Sequence, residues 1–177
     1  LTDASEYAYD EGEDEPDATL FSKHDMTIPG TGSLLVTGNF NTGIGTKDDL
    51  VIEGGSIEVT AVNDGIRGRD ALTITGGNIT VHAGNDGLKA NNDEDADKGW
   101  ILLSGGELII HAANDAVQAE TALTVDEGMT IQANSGGGAA VATSSSTESM
   151  KGLKAGTTLT INGGDITIDS ADDAIHS

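Results

Sequence analysis

Along most of this chain, apolar and polar residues alternate with a period of two, in runs too short and too broken by glycine for a helix. The runs recur. Leu50 to Ala71, Leu72 to Asp93 and Ile101 to Ala122 align residue for residue. Each reads apolar-x-apolar-x-Gly-Gly-x-apolar-x-apolar, then Ala two residues on, then Asn-Asp-Gly/Ala-apolar. The inward positions predicted in the first are Leu50, Ile52, Ile57, Val59, Ala61 and Ile66. They recur as Leu72, Ile74, Ile79, Val81, Ala83 and Leu88, and again as Ile101, Leu103, Leu108, Ile110, Ala112 and Val117. Leu159, Ile161, Ile166, Ile168 and Ile175 carry the pattern into a last, truncated unit.

Three short strands per unit, repeated at about 22 residues, predict an all-β fold: a right-handed parallel β-helix, a solenoid of stacked coils. One coil cannot bury its own apolar face, and stacking makes the core continuous. Gly54-Gly55, Gly76-Gly77, Gly105-Gly106 and Gly163-Gly164 mark one corner, where a positive φ or a close backbone approach is needed. Asn63, Asn85 and Asn114 mark another, since Asn tolerates the left-handed region and stacks into amide ladders. Two coils depart from the norm. Met26 to Asp49 is a longer first coil with Ile28, Leu34, Val36 and Ile44 inward. Leu123 to Thr158 lacks one residue before Met129 and carries a low-complexity bulge from about Asn134 to Ser149. A second insertion, Glu94 to Trp100, follows the coil that starts at Leu72; such insertions emerge on one side and often shape a binding face.

Residues 20–177 are therefore expected to form a single domain that ends within a coil. Residues 1–19 lack the repeat, and eight of the first 17 are acidic. They form either a solvated leader or a cap on the open end of the coils that uses Tyr7 and Tyr9. The chain opens without Met and stops in mid-repeat, which fits a piece of a longer secreted or surface-attached protein.

Charge sharpens the picture. Lys plus Arg is 8 and Asp plus Glu is 30, a net charge of −22, so a nucleic-acid partner is excluded for want of a basic footprint. There is no cysteine, hence no disulfide or thiolate chemistry. No apolar run reaches the roughly 18 residues of a membrane span.

Stacking turns each repeat position into a column. One reads Thr42, Asp64, Asp86, Asp115, Lys151, Asp173, and the column before it reads Asn41, Asn63, Asn85, Asn114, Met150, Asp172. Six residues past the aspartates lie Asp48, Asp70, Asn92 and Thr121, and the last position before the next coil adds Asp49 and Asp93. Carboxylates stacked about 4.8 Å apart repel by about 3.5 kcal/mol at an effective dielectric of about 20. Calcium, which takes six to eight oxygens from carboxylates, amides and carbonyls, answers that repulsion. The alternative to calcium is that the aspartates serve only as turn acceptors for backbone N–H groups. The candidate ion ligands are thus Asp48, Asp49, Asn63, Asp64, Asp70, Asn85, Asp86, Asn92, Asp93, Asn114 and Asp115.

A further column, Gly45, Arg67, Lys89, Gln118, Lys154, His176, gathers the scarce basic groups, with Lys47 and Arg69 nearby. Arg67, Arg69, Lys89 and Lys154 either hold a carboxylated sugar or balance the aspartates. Trp100, in the second insertion, either stacks on a sugar ring or anchors its loop. His82 and His111 share an outward column with Thr60, Gln132 and Asp169; solvated surface histidines are the plain reading, a bracketed transition metal the other. No Ser-His arrangement points to a nucleophilic triad.

The stretches Ala61-Val62-Asn63-Asp64-Gly65-Ile66-Arg67-Gly68-Arg69-Asp70 and Gly84-Asn85-Asp86-Gly87-Leu88-Lys89-Ala90 resemble a bacterial family of carbohydrate-binding β-helix proteins. That family is typified by a calcium-containing, cellulose- and polygalacturonate-binding protein of cellulolytic clostridia. Asn92-Asp93-Glu94-Asp95-Ala96-Asp97-Lys98-Gly99 and Lys151-Gly152-Leu153-Lys154-Ala155-Gly156 add to the resemblance, which covers about residues 19–177. It implies a secreted protein, calcium among the coils, and a fold similar to the pectate lyases of polysaccharide lyase family 9. Lys151, where an aspartate is expected, departs from the pattern.

Three functions follow. The first, favoured by the resemblance, is a monomeric, calcium-stabilised, non-catalytic module that binds plant cell-wall polysaccharide, either acidic pectin-like chains (polygalacturonic acid) or cellulose. The second is a calcium-dependent pectate lyase, with Lys89, Arg67 or Lys154 as the base. The third is a rigid spacer or adhesin.

Overall fold

The computed structural model describes residues 1–7, 17–141 and 149–177. Among them there is no helix, and every strand pairing is parallel. The fold is all-β, built of parallel sheets.

One sheet has seven short strands, in the order Ala18–Ser22, Thr42–Thr46, Ile66–Gly68, Leu88–Ala90, Val117–Ala119, Leu153–Ala155 and Ile175–His176. Each strand lies against its counterpart in the next repeat. Ile44 pairs with Ile66, Ile66 with Leu88, Leu88 with Val117 and Val117 with Leu153. The remaining strands form two further stretches of parallel pairing, joined because Trp100–Ala112 and Ala122–Ser135 run through both. The Gly-Gly corner at Gly105-Gly106 is thus a bulge inside a strand, with the register shifting between Leu103 and Gly105. The conformational prediction holds at this corner: Gly55, Gly77, Gly106 and Gly164 have φ of 92°, 102°, 102° and 94°. It fails at the other, where no non-glycine among the described residues has a positive φ. Asn63, Asn85 and Asn114 serve there through ladder hydrogen bonds of backbone and side chain, not through a left-handed conformation.

Insertions leave the register intact. Asn63 follows its ladder partner Asn41 by 22 positions, Asn114 follows Asn85 by 29, and Lys151 follows Asp115 by 36. The extra residues leave the strands between repeats. Part of the low-complexity bulge, residues 142–148, lies outside the described residues.

The core is the set of predicted inward columns through the inner repeats; in the last repeat Ile161 and Ile175 are exposed and Leu159, Ile166 and Ile168 only partly buried, with no further repeat stacked on them in this structure. Leu50, Leu72, Ile101 and Leu123 stack in one, and Val59, Val81, Ile110 and Ala133 in another, all buried. Each fully buried Leu or Ile contributes about 1.5–3 kcal/mol. Beside the second column runs one of very small residues. A Cβ on Gly43 would meet Val59 Cγ1 at 2.3 Å, one on Gly65 would meet Val81 Cγ1 at 2.2 Å, and one on Gly87 would meet Ile110 Cγ2 at 2.4 Å. The next member of this column is Ala116, fully buried, and in its repeat the facing inward residue shrinks to Ala133. Gly152 restores the glycine, and its Cβ would meet Ile168 Cγ2 at 2.3 Å. Small and large trade places across the contact, which keeps the repeats in close packing.

At the N-terminus, the Leu1 amine donates to the Leu35 carbonyl at 2.5 Å, Thr2 bridges to Thr37, and the Asn39 N–H donates to Asp3 Oδ1 at 2.6 Å. The Tyr7 and Phe40 rings meet edge to face at 4.9 Å. These first residues pair with the strand Ser33–Gly38, whose other side pairs with Ser56–Ala61. Tyr9 and most of the acidic run lie outside the described residues.

Candidate functional site

The Asn-Asp turn stacks as the sequence spacing requires. Backbone bonds link Asn63 to Asn41, Asn85 to Asn63 and Asn114 to Asn85, while Gly65, Gly87, Ala116 and Gly152 donate to the carbonyls of Asp86, Asp115, Lys151 and Asp173. Both predicted columns are therefore real, Lys151 included. The amide ladder runs Asn63 Nδ2 to Asn41 Oδ1 at 2.6 Å and Asn114 Nδ2 to Asn85 Oδ1 at 2.5 Å; Asn85 Nδ2 turns instead to Asp64 Oδ1 at 2.6 Å.

Asp64, Asp86 and Asp115 are only 3%, 4% and 1% exposed, so each needs compensation. They find it within the chain. Asp64 Oδ1 accepts the Asp86 N–H at 3.3 Å and Asp86 Oδ1 accepts the Asp115 N–H at 3.1 Å. Asp115 Oδ1 accepts the Lys151 N–H and the Ser149 hydroxyl, both at 2.7 Å. Lysines supply the counter-charge. Lys89 Nζ lies 2.7 Å from Asp86 Oδ2 and 3.6 Å from Asp64 Oδ1, and Lys154 Nζ lies 2.9 Å from Asp115 Oδ2. Burial pushes the Asp86 carboxyl above its ordinary range, and the pull of Lys89 does not fully offset it. Lys89 is held above the ordinary lysine value: burial alone would lower it, but Asp64 and Asp86 together prevail. A calcium ion in this column would have to displace ammonium groups already seated on the oxygens.

The corner one strand further on is different. Asp25, Asp48, Asp49 and Asp70 crowd together there, and the Asp49 N–H donates to Asp25 Oδ1 at 3.3 Å. Burial, then the charges of Asp25, Asp70 and Asp48, raise the Asp49 carboxyl. Asp70 is compensated. Burial pushes it up, but Lys98 Nζ at 2.7 Å and Asn92 Nδ2 at 2.5 Å outweigh that and hold it below its usual range. Among the described residues no three carboxylates or imidazoles close on one point. The corner is rich in oxygen but not pre-shaped into an ion cage.

Two expected column members are displaced here. The backbone column runs from Asp48 to Asp70, Gly99 and Thr121, because the Gly99 N–H donates to Asp70 and the Thr121 N–H to Gly99. Asn92 reaches Asp70 by its side chain only. Asp93 is exposed in the insertion; Asp49 is followed by Ala71 and then Trp100. Trp100 is thus the first residue of its strand, half-buried, rather than a loop residue.

Arg67 and Lys89 sit side by side, followed by Gln118, Lys154 and His176, in the predicted order. Arg67 lines an open cleft of about 400 Å³, shared with Lys47, Arg69, Thr46, Asp17 and Asn91. Arg67 is 3.4 Å from Asp17, and Arg69 is 2.6 Å from Glu94. The amide oxygen of Asn91 is buried without a hydrogen-bond partner among the described residues. Nothing in the repeat pattern points to Asp17, Asp25, Ser149 or Asn91. For Lys98 a signal existed: a single cation in an otherwise acidic insertion.

His82 and His111 do stack, but the register carries the column on to Asn134 rather than Gln132, and then to Asp169. The repeat from Leu123 does not lack a residue before Met129, as the spacing suggests: it carries one extra, taken up at the bulge between Leu103 and Gly105, which moves the pairing two places from the expected one.

A curated relative, a carbohydrate-binding domain-containing protein of Acetivibrio thermocellus, is 50% identical over 62 residues, 34% of this chain and 22% of its own length. A solved structure, described as the polysaccharide lyase-like protein from C. thermocellum in a gadolinium derivative, superposes with a TM-score of 0.72 at 32% identity. That match covers 100% of this chain and 62% of the solved one, so this chain spans less than two thirds of either relative. The family model described as carbohydrate-binding domain-containing protein matches residues 1–177, and the chain belongs to that carbohydrate-binding family.

Proposed function

We propose that this chain is a right-handed parallel β-helix that binds acidic, pectin-like plant cell-wall polysaccharide at the Lys47–Arg67–Arg69 cleft without cleaving it. The cleft carries the reading. In a chain of net charge −22, three of the 8 basic residues line one opening of about 400 Å³. Guanidinium groups pair with carboxylates in a two-pronged geometry, which suits the uronate groups of such a polymer. Cellulose is the weaker alternative, because a neutral crystalline chain is gripped by aromatic rows and aromatics are only 3% of this sequence. Lys89, one of three candidate bases of a lyase beside Arg67 and Lys154, is held above the ordinary lysine value by Asp64 and Asp86, which disfavours the neutral amine that a base needs. Such a ligand places the protein outside the cell or on its surface, working as a monomer.

Calcium belongs to the same proposal, at the Asp25–Asp48–Asp49–Asp70 corner rather than in the Asp64–Asp86–Asp115 column. A bound calcium would neutralise the crowded carboxylates and offer open positions to a uronate. Asp49 and Asp25 are exposed and can swing towards it at little cost.

Incubation with polygalacturonate and calcium, followed by pull-down and an absorbance assay for unsaturated product, tests the reading. Retention without product is expected, with retention lost in the Lys47→Ala/Arg69→Ala double variant. Product formation would overturn the non-catalytic assignment, and full retention of the double variant would overturn the cleft.

A further inference from the structure

The outward column Thr60, His82, His111, Asn134 takes no part in the cleft or the acid corner. The rings of His82 and His111 come from adjacent parallel strands, with centroids 5.0 Å apart and planes within 8° of parallel. Both are exposed. Among the described residues, neither ring is hydrogen-bonded or ion-paired to another group. They face a shallow groove of about 410 Å³ lined also by Thr60, Asn134 and Gly137. The Asn134 amide nitrogen is turned to Asp169 Oδ2 at 3.3 Å, which leaves its amide oxygen available.

We propose that His82 and His111 form a two-imidazole site for a divalent transition-metal ion, with the Asn134 amide oxygen and water completing the shell. Imidazole suits copper, nickel and zinc, whereas the all-oxygen corner suits calcium, so the two ion chemistries are separated on the molecule. Metal–nitrogen bonds of about 2.0–2.1 Å place two nitrogens roughly 2.8–3.0 Å apart at a right angle and roughly 3.3–3.4 Å apart at the tetrahedral angle. Exposed, side-by-side rings reach that spacing by tilting about their side-chain torsions, with no backbone change. The parallel register fixes both Cβ atoms at the distance of neighbouring strands, about 4.8 Å, so the pair is already brought together before the ion arrives. Copper(II) is the probe of choice, since it heads the affinity order for nitrogen ligands.

The test uses the folded chain with one equivalent of Cu²⁺ in the presence of millimolar Ca²⁺. Titration gives the affinity, and electron paramagnetic resonance counts the coordinated nitrogens. Two imidazole nitrogens are expected in the parent. His82→Ala and His111→Ala should each show one nitrogen and at least tenfold weaker binding, while His24→Ala should match the parent. All three positions are exposed, so folding survives and circular dichroism checks it. No uptake by the parent, displacement by Ca²⁺, unchanged affinity in both single variants, or loss in His24→Ala would each overturn the site.

Discussion

Replacing Lys89 with methionine isolates the internal counter-charge, because methionine keeps most of the aliphatic volume and removes only the ammonium. The ammonium bridges Asp86 at 2.7 Å and Asp64 at 3.6 Å. Breaking a buried pair by removing one partner costs about 3–5 kcal/mol, since the other charge is left without compensation. The Lys89 side chain is 19% exposed, so water softens the loss, and a cost of about 3 kcal/mol is the reasoned figure. For a domain of this size that is a fall of roughly 6–12 °C in melting temperature. The loss depends on pH in a defined direction. Asp86 already has a raised carboxyl pKa in the folded state, through burial first, and loses its main opposing cation in the variant. As pH falls through that raised value towards the ordinary 3.8, the folded state takes up a proton before the unfolded state does, so the variant regains stability relative to the parent. At the alkaline end the logic reverses. The folded-state pKa of Lys89 lies above 10.5, so its contribution is complete below 10.5 and disappears only as pH rises through the folded value, where parent and variant converge. Thermal melts followed by circular dichroism, with chelator at low salt and at several pH values, read all three effects. Equal melting temperatures at pH 7.5 would refute the assignment of Lys89 as the counter-charge of this column.

The remaining predictions concern packing and the acid corner. Ala133→Val should lower stability by about 1–3 kcal/mol, because the two added methyls crowd the space taken by Ala116, and Ala116→Gly in the same chain should recover most of it; no recovery in chemical denaturation would break the size-compensation argument. Asp49→Asn should slightly raise stability in chelator near pH 7, by less than about 1 kcal/mol after screening, by removing a carboxylate that burial and Asp25, Asp70 and Asp48 disfavour. The same variant should lose much of the stabilisation that added calcium gives the parent in scanning calorimetry, and an undiminished calcium effect would move the ion elsewhere.

What the residues foretold, and what they did not, divides along one physical line. Period-two alternation reports which face of a strand is buried, and it survives every insertion because a register slip would turn the whole apolar set outward. Hence Leu50, Leu72, Ile101 and Leu123 fall in one buried column even though the spacing between repeats changes. Polar columns have no such restoring force. Asn92 and Asp93 were placed by counting from the preceding aspartates, yet the insertion that follows them carries Asp93 to the surface and puts Gly99 into the backbone ladder. The pairing of His111 with Asn134 turns on a bulge at the glycine corner, which leaves no trace in a count of residues. Counter-charges are harder still. Lys89 and Asp86 are three apart and readable, but Lys154 meets Asp115 across 39 positions, and Lys98 reaches Asp70 from an insertion 28 positions away.

Those ion pairs also bear on how an acidic chain would meet the acidic ligand proposed for it. Of the 8 basic residues, Lys89, Lys98, Lys151 and Lys154 are engaged with aspartates at the turns, Arg67 with Asp17 and Arg69 with Glu94. Repeating a sequence at 22 residues stacks like on like, so an aspartate useful in one repeat becomes a repulsive column in several, and the chain's cations are drawn in to relieve it. Lys23 and Lys47 are left outside these pairs, both exposed, and only Lys47 opens on the cleft. The guanidinium groups beside it face partners that are themselves half-exposed or exposed, Asp17 and Glu94. Under the proposed function, a uronate arriving at the cleft would exchange one carboxylate for another at Arg67 and Arg69 and make its net electrostatic gain at Lys47. Binding governed in this way would be weak per site and steeply salt-dependent, and would grow through many uronates along one chain rather than through one tight pocket.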